Sequence, residues 1–377
     1  MKKVKVVQFI HGLNMGGAET LVKEYALRID KKKFDVTVLC YERLESPYYK
    51  MIDEAGIEII YACDDLPLWG KKNILAKLIN HFGLYFVLRK YLRKLKPDVV
   101  HSHLCLNKYL KFARLPKNTK LFYTQHFDVL KWYKSFFRDV KVTKQLIKKY
   151  SMTIIALNPE MKNTMVKLLG DKYCNNIVVL NNGIDVEEYQ KNRNKGEIRK
   201  SLGISFDSFV VGHVGRLSRV KNHDYIIDVF REIRNIESDA VLLIVGSGEE
   251  KNRILYRARQ YALEDAIIIL SNRMDVPNLL CAMDVMVFPS FSEGVPITLI
   301  EAQVAGVRCI VSDTITKEIE ISNLIEFRNI GELPSVWANE VLKLKIKAEE
   351  IVYKDLDKWN MRNIIKRLEN YYIGENI

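Results

Sequence analysis

The sequence predicts an α/β protein built from two doubly wound parallel sheets. Three observations predict this fold: strand-like runs alternate with amphipathic stretches, the alternation begins afresh after a turn near Gly183, and 377 residues exceed one ordinary core. We expect a first domain over 1–183, a second over 184–355, and a closing helix over 356–377 that packs back on the first domain. Because such sheets bind ligands at the carboxyl ends of their strands, the predicted active site is a central cleft that both domains face.

Short β-branched runs define the strands of both predicted sheets. Those of the first domain are Val4–His11, Phe34–Cys40, Ile57–Ala62, Asp98–Ser102, Leu121–Tyr123, Thr153–Leu157 and Ile177–Leu180. Those of the second are Phe209–Val214, Ala240–Val245, Ala266–Leu270, Val285–Phe288 and Arg308–Val311. Between the strands, apolar residues recur at helical spacing, as Leu21, Tyr25 and Ile29 do. The polar stretch from Lys191 to Lys200 has the composition of a linker.

Composition predicts a folded protein of a reducing compartment. The six cysteines are scattered without a C-x-x-C pair, so we expect free thiols rather than disulfides or a metal site. The N-terminus lacks the cleavage site of a signal peptide, and no uncharged apolar stretch reaches the roughly 18 residues that span a bilayer. We therefore expect a cytoplasmic protein, either soluble or peripheral on the inner face of the plasma membrane.

Positive charge is concentrated in one region of the chain. Between Pro67 and Tyr150 there are 20 Lys and Arg residues against three acidic ones, a local balance of +17. Since the whole chain carries +13, the remainder sums to −4. A protein that binds nucleic acid through a generally basic surface would spread its charge more evenly. The pattern favours one basic face on an otherwise balanced enzyme.

The segment from Lys71 to Lys96 is basic and apolar at once. It contains eight basic and no acidic residues, and Ile74, Leu78 and Phe82 recur at helical spacing. Such a helix can lie against an anionic membrane surface, or it can be an ordinary core-packed helix with a solvated basic face. Because the stretch from Trp132 to Arg138 adds aromatic residues that we expect to be exposed, the sequence favours membrane contact.

The strongest chemical signal is the segment from Pro289 to Ala302. A strand leads into a turn, and a helix begins near Pro296, a residue type favoured in the first helical turn. The free N–H groups and positive dipole end of that helix suit a phosphate, while Glu293 and Glu301 can accept hydrogen bonds from sugar hydroxyls. From spacing alone, the two carboxylates could equally serve the helix dipole and the protein surface.

Other motifs favour the functional interpretation of this segment. Together with it, they resemble the family-4 retaining glycosyltransferases of GT-B fold over most of the chain. The segment is similar to the E-x7-E motif of that family. The other matching motifs are Gly16-Gly17-Ala18-Glu19, Asn182-Gly183-Ile184-Asp185, Val214-Gly215-Arg216-Leu217 followed by Lys221-Asn222, and Val245-Gly246-Ser247-Gly248-Glu249. The resemblance implies two Rossmann-like domains and transfer of a sugar from a nucleotide diphosphate.

The resemblance also implies roles for individual residues. The catalytic residues that it implies are His126, Arg216, Lys221 and Glu293. The donor-binding residues that it implies are Gly16, Gly17, Gly215, Gly246, Gly294, Val295, Pro296, Ile297, Thr298 and Glu301. Arg216 and Lys221 have the chemistry to neutralise a leaving diphosphate where other transferases use a metal. We therefore expect no metal and no cofactor, with the nucleotide sugar as a co-substrate.

Three further patterns bear on other kinds of chemistry. Gly246 and Gly248 lack the third glycine of a dinucleotide-binding loop, which argues against a dehydrogenase. His101 and His103 share one strand face, but no third ligand follows at metal spacing, so we expect a structural or acceptor-side role. The D-x-D sequence that begins at Asp355 lies in a helical region rather than after a strand, and we expect it at the surface.

The predicted activity is transfer of a hexose or N-acetylhexosamine, with retention, from a UDP-linked donor to a lipid-linked saccharide in capsule or exopolysaccharide synthesis. The acceptor class follows from the basic region and from a finer resemblance around Gln303 to capsule enzymes. Two alternatives stay open. A nucleotide-sugar epimerase shares the two-domain architecture, and a basic nucleic-acid-binding protein would explain the pI of 9.2 but not the donor motifs.

Overall fold

The computed structural model describes residues 2–44, 46–70, 73–116, 118–126, 128–345 and 350–375. They form two compact units: Met1–Gly183 together with Met361–Ile377, and Ile184–Asn360. The second unit thus extends to Asn360, beyond the predicted limit at 355. Lys71, where the predicted basic segment starts, lies outside the described residues. Within the described chain, no helix is both long and apolar enough to cross a membrane.

The first unit contains one seven-stranded sheet in which all neighbouring strands are parallel. Its strands are β1 (Val4–Ile10), β2 (Phe34–Cys40), β3 (Glu58–Tyr61), β4 (Val99–Ser102), β5 (Lys120–Thr124), β6 (Thr153–Ala156) and β7 (Ile177–Val179). Their order is β3-β2-β1-β4-β5-β6-β7. Because β1 lies beside β4, the strand order reverses between them, and such a reversal is where doubly wound sheets bind ligands.

Helices separate these strands along the chain. They are α1 (Gly17–Arg28), α2 (Pro47–Glu54), α3 (Ile74–Leu95), α4 (Asn107–Leu110), α5 (Val129–Ser135), α6 (Phe137–Tyr150) and α7 (Pro159–Leu169). The α5 helix corrects one expectation, because Trp132 is fully buried and donates its indole N–H to Asp139 at 3.0 Å. Phe136 and Phe137, from the same aromatic stretch, are exposed as expected.

The second unit repeats the architecture with six parallel strands. They are β8 (Val210–Val214), β9 (Val241–Val245), β10 (Ile267–Leu270), β11 (Val285–Phe288), β12 (Arg308–Ser312) and β13 (Ile325–Arg328), in the order β10-β9-β8-β11-β12-β13. The order reverses between β8 and β11. The edge strand β13 was not predicted, because its charged residues Glu326 and Arg328 obscure the apolar pattern.

The helices of the second unit lie between its strands and at its ends. They are α8 (Val186–Gln190), α9 (Lys195–Ser201), α10 (His223–Arg234), α11 (Lys251–Gln260), α12 (Val276–Ala282), α13 (Ile297–Val304) and α14 (Pro334–Leu344). The polar stretch predicted as a linker therefore contains α9. Arg199 of α9 is buried and donates to Asp284 and to three backbone carbonyls. A buried guanidinium with this many acceptors holds the segment to the unit, which a linker composition does not reveal.

The final helix, α15 (Met361–Ile373), belongs to the first unit although it follows the second along the chain. Its residues Ile364, Leu368 and Tyr372 lie in the core of the first unit. It begins against the turn at Gly183, where an added Cβ would lie 3.0 Å from the Cα of Met361. The glycine of the Asn182-Gly183-Ile184-Asp185 motif therefore makes room for the returning chain.

Candidate active site

In the second unit, three of the predicted catalytic residues follow the two strands at which the strand order reverses. Arg216 and Lys221 follow β8, and Glu293 follows β11. Their loops are joined directly, because the Phe291 amide donates to the Val220 carbonyl at 2.9 Å. Since β8 and β11 are parallel neighbours, their carboxyl ends share one edge of the sheet. The structure therefore brings these two predicted loops together.

The glycine motif after β9 has a packing role. An added Cβ on Gly246 would lie 1.8 Å from the Gly215 carbonyl oxygen, and one on Gly248 would lie 2.2 Å from that of Leu217. The two backbones are hydrogen-bonded, with the Leu217 amide donating to the carbonyl of Ser247 at 2.9 Å. Any side chain on either glycine would force these loops apart. The two glycines therefore allow the loop after β9 to hold the β8 loop, which carries Arg216, in place.

Lys221 and Glu293 form an ion pair. Lys221 Nζ lies 2.7 Å from Glu293 Oε1, and the two side chains are 14% and 15% exposed. Lys221 also lies over the Phe288 ring, 4.5 Å from its centroid. Gly215 leaves room for it, since an added Cβ there would come within 3.3 Å of Lys221 Cε. A charge pair this well covered is held in a defined position, because losing either partner would leave the other charge largely desolvated.

Arg216 has the opposite environment. Its side chain is 74% exposed and pairs with Glu249, itself 58% exposed, at 3.2 Å. An exposed pair of this kind contributes little to stability, because solvent screens it. Arg216 can therefore leave Glu249 at little cost and turn to a diphosphate, whereas Lys221 is already fixed by Glu293.

The α13 helix presents its N-terminus to the Glu293 loop. Pro296 precedes the helix and no side chain caps its first amides. Gly294 borders open space, because a Cβ added to it would have no heavy atom within 4 Å. Val295, Ile297 and Thr298 are partly exposed. The backbone N–H groups at this helix end are available to an anion, and Glu301, one turn further along, is half-buried.

Buried hydrogen bonds fix α13 and the loop before it. The Gln303 amide donates to the Leu299 and Ile319 carbonyls, at 2.9 and 2.7 Å. Ser312 and Thr314 donate their hydroxyl groups to the Ser290 carbonyl at 2.6 and 2.8 Å. This anchoring role of Ser312 and Thr314 was not predicted.

Two histidines that sequence reasoning missed lie behind Lys221. His213 stacks on Phe288 at 5.1 Å between centroids and meets His223 edge-on at 5.0 Å. His213 Nδ1 donates to the Val287 carbonyl at 3.0 Å. Burial lowers the pKa of both imidazoles, that of His223 to about 4, so neither competes with Lys221 as a cation at neutral pH. The sequence signal that could have identified this pair is a histidine, His213, within the apolar run of β8.

In the first unit, Gly16 and Gly17 begin α1 as predicted. Gly16 precedes the helix without a side-chain cap, and an added Cβ on it would lie 2.5 Å from Glu19 Oε2. Burial raises the pKa of the Glu19 carboxyl. An anion at this helix end would meet that carboxylate, whereas a hydroxyl group could donate to it. The predicted role of Gly16 and Gly17 in donor binding stays a prediction.

His126 follows β5 and is half-buried. Its Nε2 lies 3.0 Å from His103 Nδ1, and His103 Nε2 lies 3.0 Å from Gln8 Oε1. Burial lowers the pKa of His126 to about 3. The ring is therefore neutral at physiological pH and can exchange hydrogen bonds with a ligand without carrying charge.

The structure also locates the residues that were considered as metal ligands. His101 contacts Tyr372 and Thr124, each at 2.7 Å, and His103 contacts Gln8 and His126. Among the residues that the structure describes, no group of three His, Cys, Asp or Glu side chains could hold a metal ion. Asp355 is 81% exposed, as expected for the surface position of the D-x-D sequence.

The buried histidines predict a protein that loses stability in mild acid. Burial lowers the pKa of His101 and His126 to about 3 and of His223 to about 4, whereas an unfolded histidine titrates near a pKa of about 6.5. The unfolded chain thus binds more protons below about pH 6.5, and the free energy of unfolding should fall by about 1.4 kcal/mol per pH unit for each such histidine. Denaturant titration between pH 8 and pH 4 measures this slope.

The variant His223→Gln should reduce the slope below about pH 6.5 by the contribution of one histidine. Above about pH 7, where the unfolded chain carries no extra proton at this position, variant and wild type should show the same slope. Stability that stays constant from about pH 6.5 to pH 4 in the wild type would contradict the neutral, buried state of these rings.

Two glycosyltransferase family models match successive parts of the chain. Residues 15–188 match the family model described as Glycosyltransferase Family 4, and residues 194–323 match Glycosyl transferases group 1. The chain is 27% identical to the putative glycosyltransferase EpsF of Bacillus subtilis, over 90% of this chain and 87% of that protein. It is 29% identical to the UDP-Gal:alpha-D-GlcNAc-diphosphoundecaprenol alpha-1,3-galactosyltransferase of Escherichia coli, over 98% and 96%.

The fold has close counterparts among solved structures. The crystal structure of Anabaena HepE in complex with UDP and glucose superposes with a TM-score of 0.72 at 17% identity, over 99% of this chain and 97% of that one. This likeness confirms the predicted pair of Rossmann-like domains, and the two family models confirm the predicted resemblance. The chain belongs to the family-4 glycosyltransferases of GT-B fold.

Proposed function

We propose that this glycosyltransferase moves a hexose or N-acetylhexosamine, with retention and without a metal, from a UDP-linked donor to a lipid-linked saccharide in capsule or exopolysaccharide synthesis. The observation that carries the proposal is the fixed Lys221–Glu293 pair beside the uncapped N-terminus of α13. The Escherichia coli relative, whose name gives a UDP-galactose donor and a diphosphoundecaprenol acceptor, supports the donor and acceptor classes.

The diphosphate would meet three sources of positive potential. These are the Lys221 ammonium, the exposed Arg216 guanidinium and the first amides of α13. Together they can stabilise the charge that develops on the leaving phosphate, the task that a metal performs in other transferases. Glu293 holds Lys221 in place, and Glu301 is proposed to accept hydrogen bonds from hydroxyl groups of the nucleotide sugar.

Retention fits the residues of the site. In the proposed mechanism the bond between the anomeric carbon and the phosphate breaks first. The acceptor oxygen then bonds to that carbon on the same face of the ring, and the departing phosphate takes the proton of the acceptor hydroxyl. The protein then supplies position and charge stabilisation rather than a nucleophile. An α-1,3 product, as the name of the Escherichia coli relative states, is the retained configuration when the donor bond is also α.

An exposed apolar stripe supports the proposed membrane contact. Along α3, the side chains of Ile74, Leu78, Phe82 and Phe86 are between 51% and 79% exposed, whereas Leu84, Leu88 and Leu92 of the same helix are buried. The helix thus has two apolar faces, of which only one packs into the core. An unpaired apolar stripe of this length typically marks an interaction surface.

Basic residues border this stripe. The Phe112 ring lies 5.4 Å from that of Tyr85 on α3 and is itself 54% exposed. Burial and then the nearby charges of Lys108 and Arg138 lower the pKa of His81 on the same helix, so these cations lie next to the stripe. Apolar side chains beside cations fit a bilayer with anionic headgroups, where the substrate of a lipid-linked pathway would reside.

Removing either proposed phosphate contact should abolish most of the turnover. Lys221→Ala and Arg216→Ala should each reduce kcat by a factor on the order of a hundred through lost stabilisation of the diphosphate. Transfer from UDP-sugars is measured as release of UDP, with and without EDTA, and EDTA should leave the wild-type rate unchanged.

The matched control is Arg219→Ala, which removes an exposed cation from the same loop without touching the proposed contacts. It should retain turnover close to wild type. Because Lys221→Ala also leaves Glu293 without its cation, thermal unfolding is recorded for each variant. Turnover close to wild type in both Lys221→Ala and Arg216→Ala would contradict the assignment.

The product should keep the anomeric configuration of the donor. Proton NMR of the product formed from an α-linked UDP-sugar should show the small anomeric coupling of an α-glycoside. An inverted product would refute the proposed mechanism. Interconversion of the UDP-sugar without any acceptor would instead support the epimerase alternative.

The purified protein should sediment with vesicles that contain phosphatidylglycerol and not with vesicles of phosphatidylcholine alone. The double variant Phe82→Ser, Phe86→Ser should bind several-fold more weakly, because it removes two exposed rings from the stripe. The control is Tyr256→Ser, an equally exposed aromatic residue on α11 of the second unit. Equal sedimentation with both vesicle types would refute membrane contact, and salt-sensitive binding of RNA or DNA would favour the nucleic-acid alternative.

A further inference from the structure

A buried chain of hydrogen bonds connects the last helix of the protein to His126. Tyr372 Oη on α15 lies 2.9 Å from Gln8 Nε2 and 2.7 Å from His101 Nδ1. On the other side of Gln8, its Oε1 lies 3.0 Å from His103 Nε2, and His103 Nδ1 lies 3.0 Å from His126 Nε2. Gln8 and His101 face each other as register partners on β1 and β4, which places both within reach of one hydroxyl group.

The donor and acceptor atoms of each group determine which partner donates in every hydrogen bond of this series. The amide nitrogen of Gln8 donates to Tyr372, so the one hydroxyl hydrogen of Tyr372 goes to His101 Nδ1. Gln8 Oε1 can only accept, so His103 carries its hydrogen on Nε2. A neutral imidazole has one N–H group, which leaves His103 Nδ1 as an acceptor and requires His126 Nε2 to donate. His126 therefore carries its hydrogen on Nε2 and keeps a lone pair on Nδ1.

We propose that Tyr372 and Gln8 are positioning residues that fix the tautomer of His126, so that its Nδ1 faces a ligand as a hydrogen-bond acceptor for a sugar hydroxyl. The identity of that ligand rests on the proposed function, whereas the tautomer rests only on the hydrogen bonds of the first unit. Reversing the tautomer with every bond intact would require the Gln8 amide to turn over and His101, His103 and Tyr372 to reverse together. None of these groups can change its orientation or tautomer alone without losing a buried hydrogen bond.

The rings around Tyr372 hold its hydroxyl group at this point. Phe122 and Phe34 pack against the Tyr372 ring at 5.1 and 6.2 Å between centroids, and Tyr372 is 1% exposed. The Lys120 ammonium donates to its backbone carbonyl at 3.0 Å. A residue near the C-terminus is thus fixed as firmly as the strands that it contacts, which a positioning role requires.

The experiment compares Tyr372→Phe with a matched control, Tyr25→Phe. Tyr25 is also fully buried and its ring stacks near His101 at 5.9 Å, but among the described residues its hydroxyl group has no hydrogen-bond partner. Both variants remove one buried hydroxyl from the same core. Only Tyr372→Phe breaks the chain and lets the Gln8 amide turn without losing a bond to α15.

The tautomer is read by NMR of protein with ¹⁵N-labelled histidine, in which His126→Gln identifies the signals of His126. Wild type and Tyr25→Phe should show His126 with its hydrogen on Nε2 at neutral pH. Tyr372→Phe should show a mixture of tautomers and a kcat about fivefold lower, the effect of losing one neutral hydrogen bond. Thermal unfolding and the stoichiometry of UDP binding separate this effect from a loss of folded protein.

Two results would overturn the inference. One is a wild-type His126 with its hydrogen on Nδ1. The other is a Tyr372→Phe variant whose His126 tautomer or kcat equals that of the wild type. If the tautomer shifts in Tyr372→Phe but the wild type transfers sugar from no nucleotide donor, then the proposed function fails and the hydrogen-bond chain stands on its own.

Discussion

The parallel pairing of both sheets is the constraint on which the site depends. Parallel strands all end at one edge, and in each unit the strand order reverses once, between β1 and β4 and between β8 and β11. The loops after these strands carry three of the four predicted catalytic residues, Arg216, Lys221 and Glu293, and the glycine pair of the first unit. The fold itself therefore gathers residues that are far apart along the chain.

Close approach of the backbones then fixes the positions of the loops in the second unit. In the second unit the glycines after β9 allow the Gly215 and Leu217 carbonyls to come nearer than any side chain would permit. The same β8 loop reaches the β11 loop through the bond from Phe291 to Val220. With three loops held together by their backbones, Lys221 lies 2.7 Å from Glu293. In the proposed mechanism, a lysine held in this way needs little reorganisation when charge develops on a phosphate.

Most strands and the loops that carry Arg216, Lys221 and Glu293 could be predicted from the sequence because their signals are local. Phe34–Cys40 and Val285–Phe288 have the predicted bounds, and α13 begins directly after Pro296. Where the sequence-based predictions failed, the deciding contact is not visible in the local pattern. The burial of Arg199 depends on acceptors such as Asp284, and Trp132 is turned inward by Asp139.

The series of hydrogen bonds that leads to His126 is the clearest example of contacts that the local sequence pattern does not reveal. His101, His103 and His126 were each visible in the sequence, but Gln8 looked like an ordinary strand residue and Tyr372 like part of a closing helix. The contact between Gln8 and Tyr372 spans 364 positions. No spacing rule connects residues so distant, so the role of α15 follows only from the folded unit.

The site residues of the second unit are charged and paired, whereas His126 of the first unit is neutral. This difference bears on the proposed mechanism. In the second unit the charged groups near α13 are paired, Lys221 with Glu293 and Arg216 with Glu249. In the first, burial lowers the pKa of His126 to about 3, so its ring is neutral at physiological pH and makes a poor proton acceptor. The proton of the acceptor hydroxyl then needs another destination. In the proposed mechanism that destination is the departing phosphate on the same face of the sugar, and its use would give retention.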